Sequence, residues 1–247
     1  MSIDLNADLG EGAPSDAPLL AIITSANIAS GGHAGDEGTM RQAVRLALAR
    51  GVGIGAHPSY PDREGFGRRP LDLPHEVLVV SLAGQIDRLA RVTREEGGAL
   101  VHVKAHGALY NVAVDDHEVA RAIGEAVRAV DRGLLVVALA GSRMAGVLRG
   151  MGIRTVEEAF IDRAYTPDGR LVSRDHPGAL ITDPQYAAAR AMRLVREGVV
   201  ASIDGADLRV RAETLCIHAD TPGSPGIAAA VRAALEASGV RLARMGT

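Results

Sequence analysis

The sequence has one lysine, Lys104, against twenty-six arginines, one cysteine, Cys216, no tryptophan, two phenylalanines and three asparagines. A single cysteine permits no internal disulfide, so a reducing, cytoplasmic setting is expected rather than a stapled secreted fold. No run approaches the roughly eighteen consecutive apolar residues of a membrane span. The N-terminal MSIDLNADLGEG carries acids where a signal peptide carries a basic region, and no apolar stretch follows it. A formal charge of −3 and a pI near 6.2 supply no basic stripe. Neither nucleic acid nor a membrane is therefore an expected partner.

The shortage of lysine is the most informative of these absences. Arginine is permanently charged and forked, whereas lysine is a compact ammonium that can lose its proton when desolvated. A chain this biased toward arginine keeps lysine where chemistry or space forbids the fork. Read as a strand, Val101 to His106 sets His102, Lys104 and His106 on one face and Val101, Val103 and Ala105 on the other. Other rare residues, Asn6, Asn27, Asn111, Phe66, Phe160 and Cys216, also fall within short motif-like segments.

With 247 residues, 47% of them hydrophobic and 23% charged, the chain is expected to form one folded domain, 1–247. Periodicity predicts strands at Ile3–Asp8, Ile22–Ile28, Val52–Ala56, Val101–His106, Leu134–Leu139, Arg154–Phe160 and Glu213–His218. Helices are predicted between them: Glu37–Arg50 capped by Asp36, Pro74 to the Gly97-Gly98 stop, and Asp116 to about Val130 capped by Asp115. Further helices cover Ser142–Arg149, Pro184 to Gly198, and a last one capped by Ser224 that ends at Gly239. The segment VVASIDGADLRVR reads as a hairpin turning at Asp204-Gly205.

Alternating strands and helices argue for a parallel sheet, either closed into a barrel or open and doubly wound. Both strand faces of a doubly wound sheet are buried and apolar. Five strands here instead carry a polar or glycine face: Asp4/Asn6/Asp8, Gly53/Gly55/His57, His102/Lys104/His106, Glu158/Asp162 and Thr214/Cys216/His218. A barrel around a polar pocket accounts for them, with His33, His57, His106, Asp162 and Asp220 at its C-terminal strand ends.

Several motifs suggest chemistry. Glu158 and Asp162 point the same way and can divide acid and base work, unless Asp162 and Arg163 only anchor a loop. Lys104 beside His106 can hold a developing oxyanion or, deprotonated, act as a base. GGHAGDEG places glycines before a helix N-terminus, as phosphate loops do, but lacks the Gly-Lys-Ser/Thr ending. His33 and Asp36 within it are expected to face a ligand or a metal. Five histidines and several acids near strand ends can ligate a divalent metal ion, although no pair has the spacing of a zincin or zinc ribbon. The long loop HPSYPDREGFGRRP reads as a lid or binding segment.

Together IDLNADLGEG, NIASGGHAGD, GAHPSYPDREGFGRR, VKAHGALYN, EAFIDRAYTPDGRLVSR and LCIHADTPG resemble the LamB/YcsF family, the A components of 5-oxoprolinase. The resemblance spans nearly the whole chain. It implies an α/β fold, a seven-unit β/α barrel of the glycoside hydrolase/deacetylase type, with the hairpin as a small addition. It also implies ATP-dependent opening of 5-oxoproline to glutamate, with ATP bound and 5-oxoprolinase subunits B and C as partners. Ser30, Gly32, Ala105 and Ala219 depart from the family's usual Cys, Phe, Pro and Gly.

The catalytic candidates are Asp8, His57, Lys104, His106, Glu158, Asp162 and Arg163. Candidates for binding substrate are Asn6, Asn27, His33, Asp36, Tyr110, Asn111, His218 and Asp220, with Tyr110 and Asn111 expected in the loop above the pocket. Two other readings stay open: a metal-dependent deacetylase on the same barrel, and a non-catalytic component that binds substrate or partners. Self-association is also left open.

Overall fold

The computed structural model describes residues 1–247. In chain order its elements are β1 (Ser2–Leu9), α1 (Asp16–Leu20), β2 (Ser25–Ala29), α2 (Glu37–Ala49), β3 (Gly53–His57), α3 (His75–Glu95) and β4 (Leu100–Lys104). Next come α4 (Gly107–Ala113), α5 (His117–Val130), β5 (Leu135–Leu139), α6 (Arg143–Gly150), β6 (Thr155–Phe160) and α7 (Pro184–Glu197). The hairpin strands β7 (Val199–Ala201) and β8 (Asp207–Arg209), then β9 (Thr214–His218), α8 (Ser224–Ala237) and β10 (Arg241–Leu242), complete the chain. No helix is long and apolar enough to cross a membrane.

Strands β1 to β6 pair in sequence order, β6 pairs with β9, and β9 pairs back to β1, all in parallel. Seven strands thus close into a barrel, as the alternation of faces predicts. The outward residues Val103, Val136, Ala138 and Leu215 join the apolar core beneath the helices. The inward residues reach one another across the lumen. His102 of β4 meets Asn27 of β2, and Lys104 of β4 meets Asp8 of β1, Glu158 of β6 and Cys216 of β9. Gly55 on β3 makes room for this, because a Cβ there would run into the His102 ring.

The lower end of the barrel is closed by the C-terminal segment. β10 pairs in parallel with the start of β1, and Met245 packs against Leu135, Val137 and Val156 inside the barrel. Opposite this apolar patch the buried Asp4 carboxylate accepts hydrogen bonds from the hydroxyls of Thr24, Ser25 and Thr214. Burial outweighs these bonds and raises the Asp4 pKa above the usual carboxylate range.

Several boundaries differ from the sequence reading for local reasons. β2 begins at Ser25 rather than Ile22, because the N–H groups of Ile22 and Ile23 bond back to Leu19 O at the end of α1. Asp116 rather than Asp115 caps α5, accepting from Glu118 N and Val119 N. Gly223, in the left-handed region, precedes Ser224 as the N-cap of α8. The fourth strand stops at Lys104, and His106 N donates to Pro58 O instead of to the sheet. Gly107 then opens α4 at a φ of 56°, so Tyr110 and Asn111 lie on a helix, not in a loop. Gly55→Ala is expected to cost about 1–3 kcal/mol as overpacking; an unchanged urea midpoint would mean that the His102 ring can step aside.

Candidate active site

At the centre of the barrel Lys104 is 2% exposed. Its Nζ lies 2.8 Å from Glu158 Oε2, 3.0 Å from Asp8 Oδ1 and 3.0 Å from Cys216 Sγ. Burial works against the charge, but the Asp8 and Glu158 carboxylates hold the lysine pKa well above its ordinary value. The side chain is therefore a fixed ammonium, and the deprotonated-base role is closed to it. Burial pushes the Cys216 thiol well up, so it is a neutral neighbour rather than a nucleophile. Burial likewise raises the Glu158 pKa, against the pull of Lys104. Asp8 stands well below the usual range despite its burial, held there by His57 and Lys104.

The layer beneath orients these groups. Asn27 Nδ2 donates to Asp8 Oδ1 and to Asn6 Oδ1, each at 2.8 Å, and Asn6 Nδ2 donates to Thr214 Oγ1 at 2.7 Å. His102 Nε2 donates to Asn27 Oδ1 at 2.8 Å. Burial, with the Lys104 charge nearby, lowers the His102 pKa to about 3, so the ring is neutral.

Above Lys104, the end of β3 and the loops after β1, β2 and β4 gather three histidines and one acid. His57 Nδ1 donates to Lys104 O at 2.7 Å, and His106 Nε2 donates to Phe66 O at 2.9 Å. Phe66 is the only non-glycine residue with positive φ, 54°, which identifies a turn held in an unusual conformation beside the site. Glu11 stands between two glycines of positive φ, Gly10 and Gly12, and its Oε1 lies 2.9 Å from His33 Nε2 and 3.2 Å from His106 Nδ1. Burial lowers the His33 pKa to about 4.

The mouth is a cavity of about 300 Å³, at the small end of ligand sites. Asp8, Glu11, His57, Lys104, His106, Tyr110, Asn111, Phe160, Arg163, His218 and Asp220 line it, as do Arg68 and Arg174. Arg68 and Arg174 both pair with Asp220. Arg163 Nη2 donates to Val172 O, and burial lowers its pKa to about 10, which still leaves it charged at neutral pH. Asp162 accepts from His218 N, His218 Nδ1 and Thr221 Oγ1, fixing the imidazole with Nε2 free.

Asn6, Asn27, His33, Glu158 and Asp162 thus stand behind the lining and position it, although Asn6, Asn27 and His33 were expected to touch substrate. Asp36 is a clearer correction. It is exposed, and its carboxylate accepts from Thr39 N as the cap of α2, which occupies the anion position that a phosphate loop would need. Gly32 does not shape the cavity either, since a side chain there would run into Gln85 and Ser59. The sequence reading missed Glu11, Arg68 and Arg174. Glu11 is three residues past Asp8, and Arg68 lies in the loop read as a lid. Their position beyond strand ends was the available signal.

The LamB/YcsF family model matches residues 3–247. The chain belongs to the LamB/YcsF family. A protein from Thermus thermophilus named as the A component of 5-oxoprolinase is 49% identical over 247 residues, covering 98% of this chain and 99% of that protein. A crystal structure of a lactam utilization protein from Thermus thermophilus shares 47% identity, with a TM-score of 0.92, over 99% of this chain and 100% of that one. A peptidoglycan deacetylase from Bacillus subtilis, 13% identical, superposes with a TM-score of 0.51 over 99% of this chain and 87% of that one. This last likeness concerns the fold, a barrel of the deacetylase type. This member of the family keeps its ionisable groups on the inner face and above the C-terminal strand ends.

Lys104→Met strands two buried carboxylates without their cation, and a loss of about 3–5 kcal/mol is expected; a urea midpoint within about 1 kcal/mol of the parent would contradict the ion-pair account. The lowered His102 pKa carries its own pH signature. Its stabilising contribution is complete above the ordinary histidine value of 6.5 and is lost as pH falls toward about 3. Urea midpoints measured from pH 7 to pH 4 are therefore expected to fall less steeply in His102→Gln than in the parent, and parallel slopes would refute the assignment.

Proposed function

We propose that this chain is the substrate-binding and ring-opening component of an ATP-dependent 5-oxoprolinase, acting with subunits B and C on 5-oxoproline to give glutamate. The observation that carries the reading is a small cavity in which four cations, Lys104, Arg68, Arg163 and Arg174, surround a wall of imidazole and carboxylate groups. Such a lining suits a compact anion with a polar carbonyl. The names of the full-length relatives supply the lactam.

A lactam carbonyl is stabilised by resonance and is a poor electrophile, so activation must precede attack by water. In the proposed reaction the carbonyl oxygen takes a phosphoryl group from ATP, with subunits B and C taking part. Water then adds to the carbonyl carbon, the ring C–N bond breaks, and the nitrogen leaves with a proton as an amine. The ring-opened product is an acyl phosphate; a second water attacks it, phosphate departs, and the former carbonyl becomes the second carboxylate of glutamate. The arginines at the mouth bind the substrate carboxylate, and the Lys104 ammonium stabilises charge that develops on the carbonyl oxygen. His218 moves the proton from its free Nε2, with Asp162 fixing the tautomer. His106 is less suited to that transfer, because its inward Nδ1 already faces His57 Nε2 and Glu11 Oε1.

The test combines the purified chain with subunits B and C, ATP and 5-oxoproline. ATP-dependent glutamate formation is expected in the complete mixture, and none there would overturn the reading. His218→Ala is expected to lower kcat by about 100-fold or more. Lys104→Arg is also expected to lose activity, whereas a non-catalytic binding component would tolerate it.

A further inference from the structure

Three potential ligand atoms face one point at the edge of the cavity. His57 Nε2 is 3.1 Å from His106 Nδ1 and 3.6 Å from Glu11 Oε1, and His106 Nδ1 is 3.2 Å from Glu11 Oε1. Each histidine has committed its other nitrogen as a donor, His57 Nδ1 to Lys104 O and His106 Nε2 to Phe66 O. With both outer nitrogens committed as donors, His57 Nε2, His106 Nδ1 and Glu11 Oε1 converge on one point that only a cation can occupy. In the metal-free protein that cation is a proton on His57, which Asp8 and Glu11 favour against burial; a metal ion takes its place.

We propose that Glu11 Oε1, His57 Nε2 and His106 Nδ1 bind one divalent transition-metal ion, with a fourth position open toward the cavity. The dimensions support this. Zinc binds imidazole nitrogen and carboxylate oxygen at about 2.0–2.2 Å, which for a tetrahedral ion separates the ligand atoms by about 3.3–3.5 Å. The observed edges of 3.1, 3.2 and 3.6 Å bracket that separation. The backbone carbonyls that accept from the outer nitrogens are the partners that metal-bound histidines characteristically have. One carboxylate and two neutral imidazoles, with Asp8 Oδ2 3.4 Å from His57 Nε2, supply the negative charge that a divalent ion needs.

His33 completes the cluster from behind. Its ring is stacked on His106, with centroids 3.6 Å apart and planes 2° apart, so its lone pairs run alongside those of His106 instead of converging with them. Its Nε2 donates to Glu11 Oε1 at 2.9 Å and holds the carboxylate in place. A second group, Asp8, Cys216 and His218, also has metal-ligand chemistry. There the Lys104 ammonium already lies 3.0 Å from both Asp8 Oδ1 and Cys216 Sγ. The deeper group has its cation, and the upper one is built to receive one.

The site does not depend on the lactam reading, and its test uses no lactam, ATP or partner protein. Full-length protein stripped with a chelator is titrated with zinc and then desalted, and bound metal is measured by mass spectrometry. One zinc per chain is expected, with a rise in Tm. Cobalt in its place is expected to give the visible bands of a tetrahedral nitrogen and oxygen site, without the near-ultraviolet band of a thiolate ligand. Glu11→Gln and His106→Gln should each weaken zinc binding at least 10-fold, while the surface variant His176→Gln should not. Failure of the stripped parent to take up zinc would overturn the proposal. So would a cobalt–thiolate band, which would move the site to Cys216. Circular dichroism checks the folding of each variant, and if both site variants unfold, the stoichiometry and cobalt spectrum of the parent decide.

Discussion

The structure depends on one buried ion cluster. Lys104 joins β4 to Asp8 of β1, Glu158 of β6 and Cys216 of β9, so a single ammonium ties together strands on opposite sides of the barrel. Desolvating such charges is costly, and the cost is met only when every partner is in place. This is a physical reason for lysine at this position. A guanidinium is wider and planar, and it would have to enter a space shaped for a compact head with three donors. Asn6, Asn27 and His102 then follow as consequences, because Asn27 donates to Asp8 while Asn6 and His102 hold Asn27 in place from below.

From this cluster the site is built upward in rigid steps. The carbonyl of Lys104 itself accepts from His57, so the residue that holds the barrel centre also sets the direction of the first imidazole above it. The carbonyl of Phe66, in a left-handed turn, does the same for His106. Asp162 does it for His218. Each ring has one nitrogen committed to the scaffold and another turned inward, which fixes the tautomer without a proton from solvent. Such an arrangement favours defined chemistry at the mouth over adaptable binding, since the rings have no freedom to exchange roles.

Much of this was legible in the sequence. The period of two in IDLNAD, VHVKAH and TLCIH identified the inner face, and polar residues on that face pointed to a closed barrel instead of a doubly wound sheet. Loop chemistry was less legible. Asp36 looked like a ligand because capping carboxylates and binding carboxylates share the same glycine-rich setting, and only its bond to Thr39 N separates the two. Tyr110 and Asn111 looked like loop residues because Gly107 resembles a strand terminator, whereas its positive φ begins α4. Glu11 escaped notice because its place past the end of β1 carries no direction, which Gly10 and Gly12 supply by folding it back over His57 and His106.

The same geometry explains why Lys104 and the proposed metal site can lie so close without competing. The lower group holds a covalently attached cation, Lys104, whose charge Asp8 and Glu158 compensate. The upper group, Glu11, His57 and His106, converges on one point without a covalently attached cation. Asp8 touches both, with Oδ1 toward Lys104 and Oδ2 toward His57. A charge that changes in the upper group is therefore felt at Lys104 through a single carboxylate, and Lys104 lines the cavity where a carbonyl oxygen would gain charge. Asp8 is thus the residue through which the barrel interior and the mouth act on each other, which gives the acids of IDLNADLGEG separate tasks: Asp4 gathers three hydroxyls at the base, Asp8 links Lys104 to His57, and Glu11 faces the cavity.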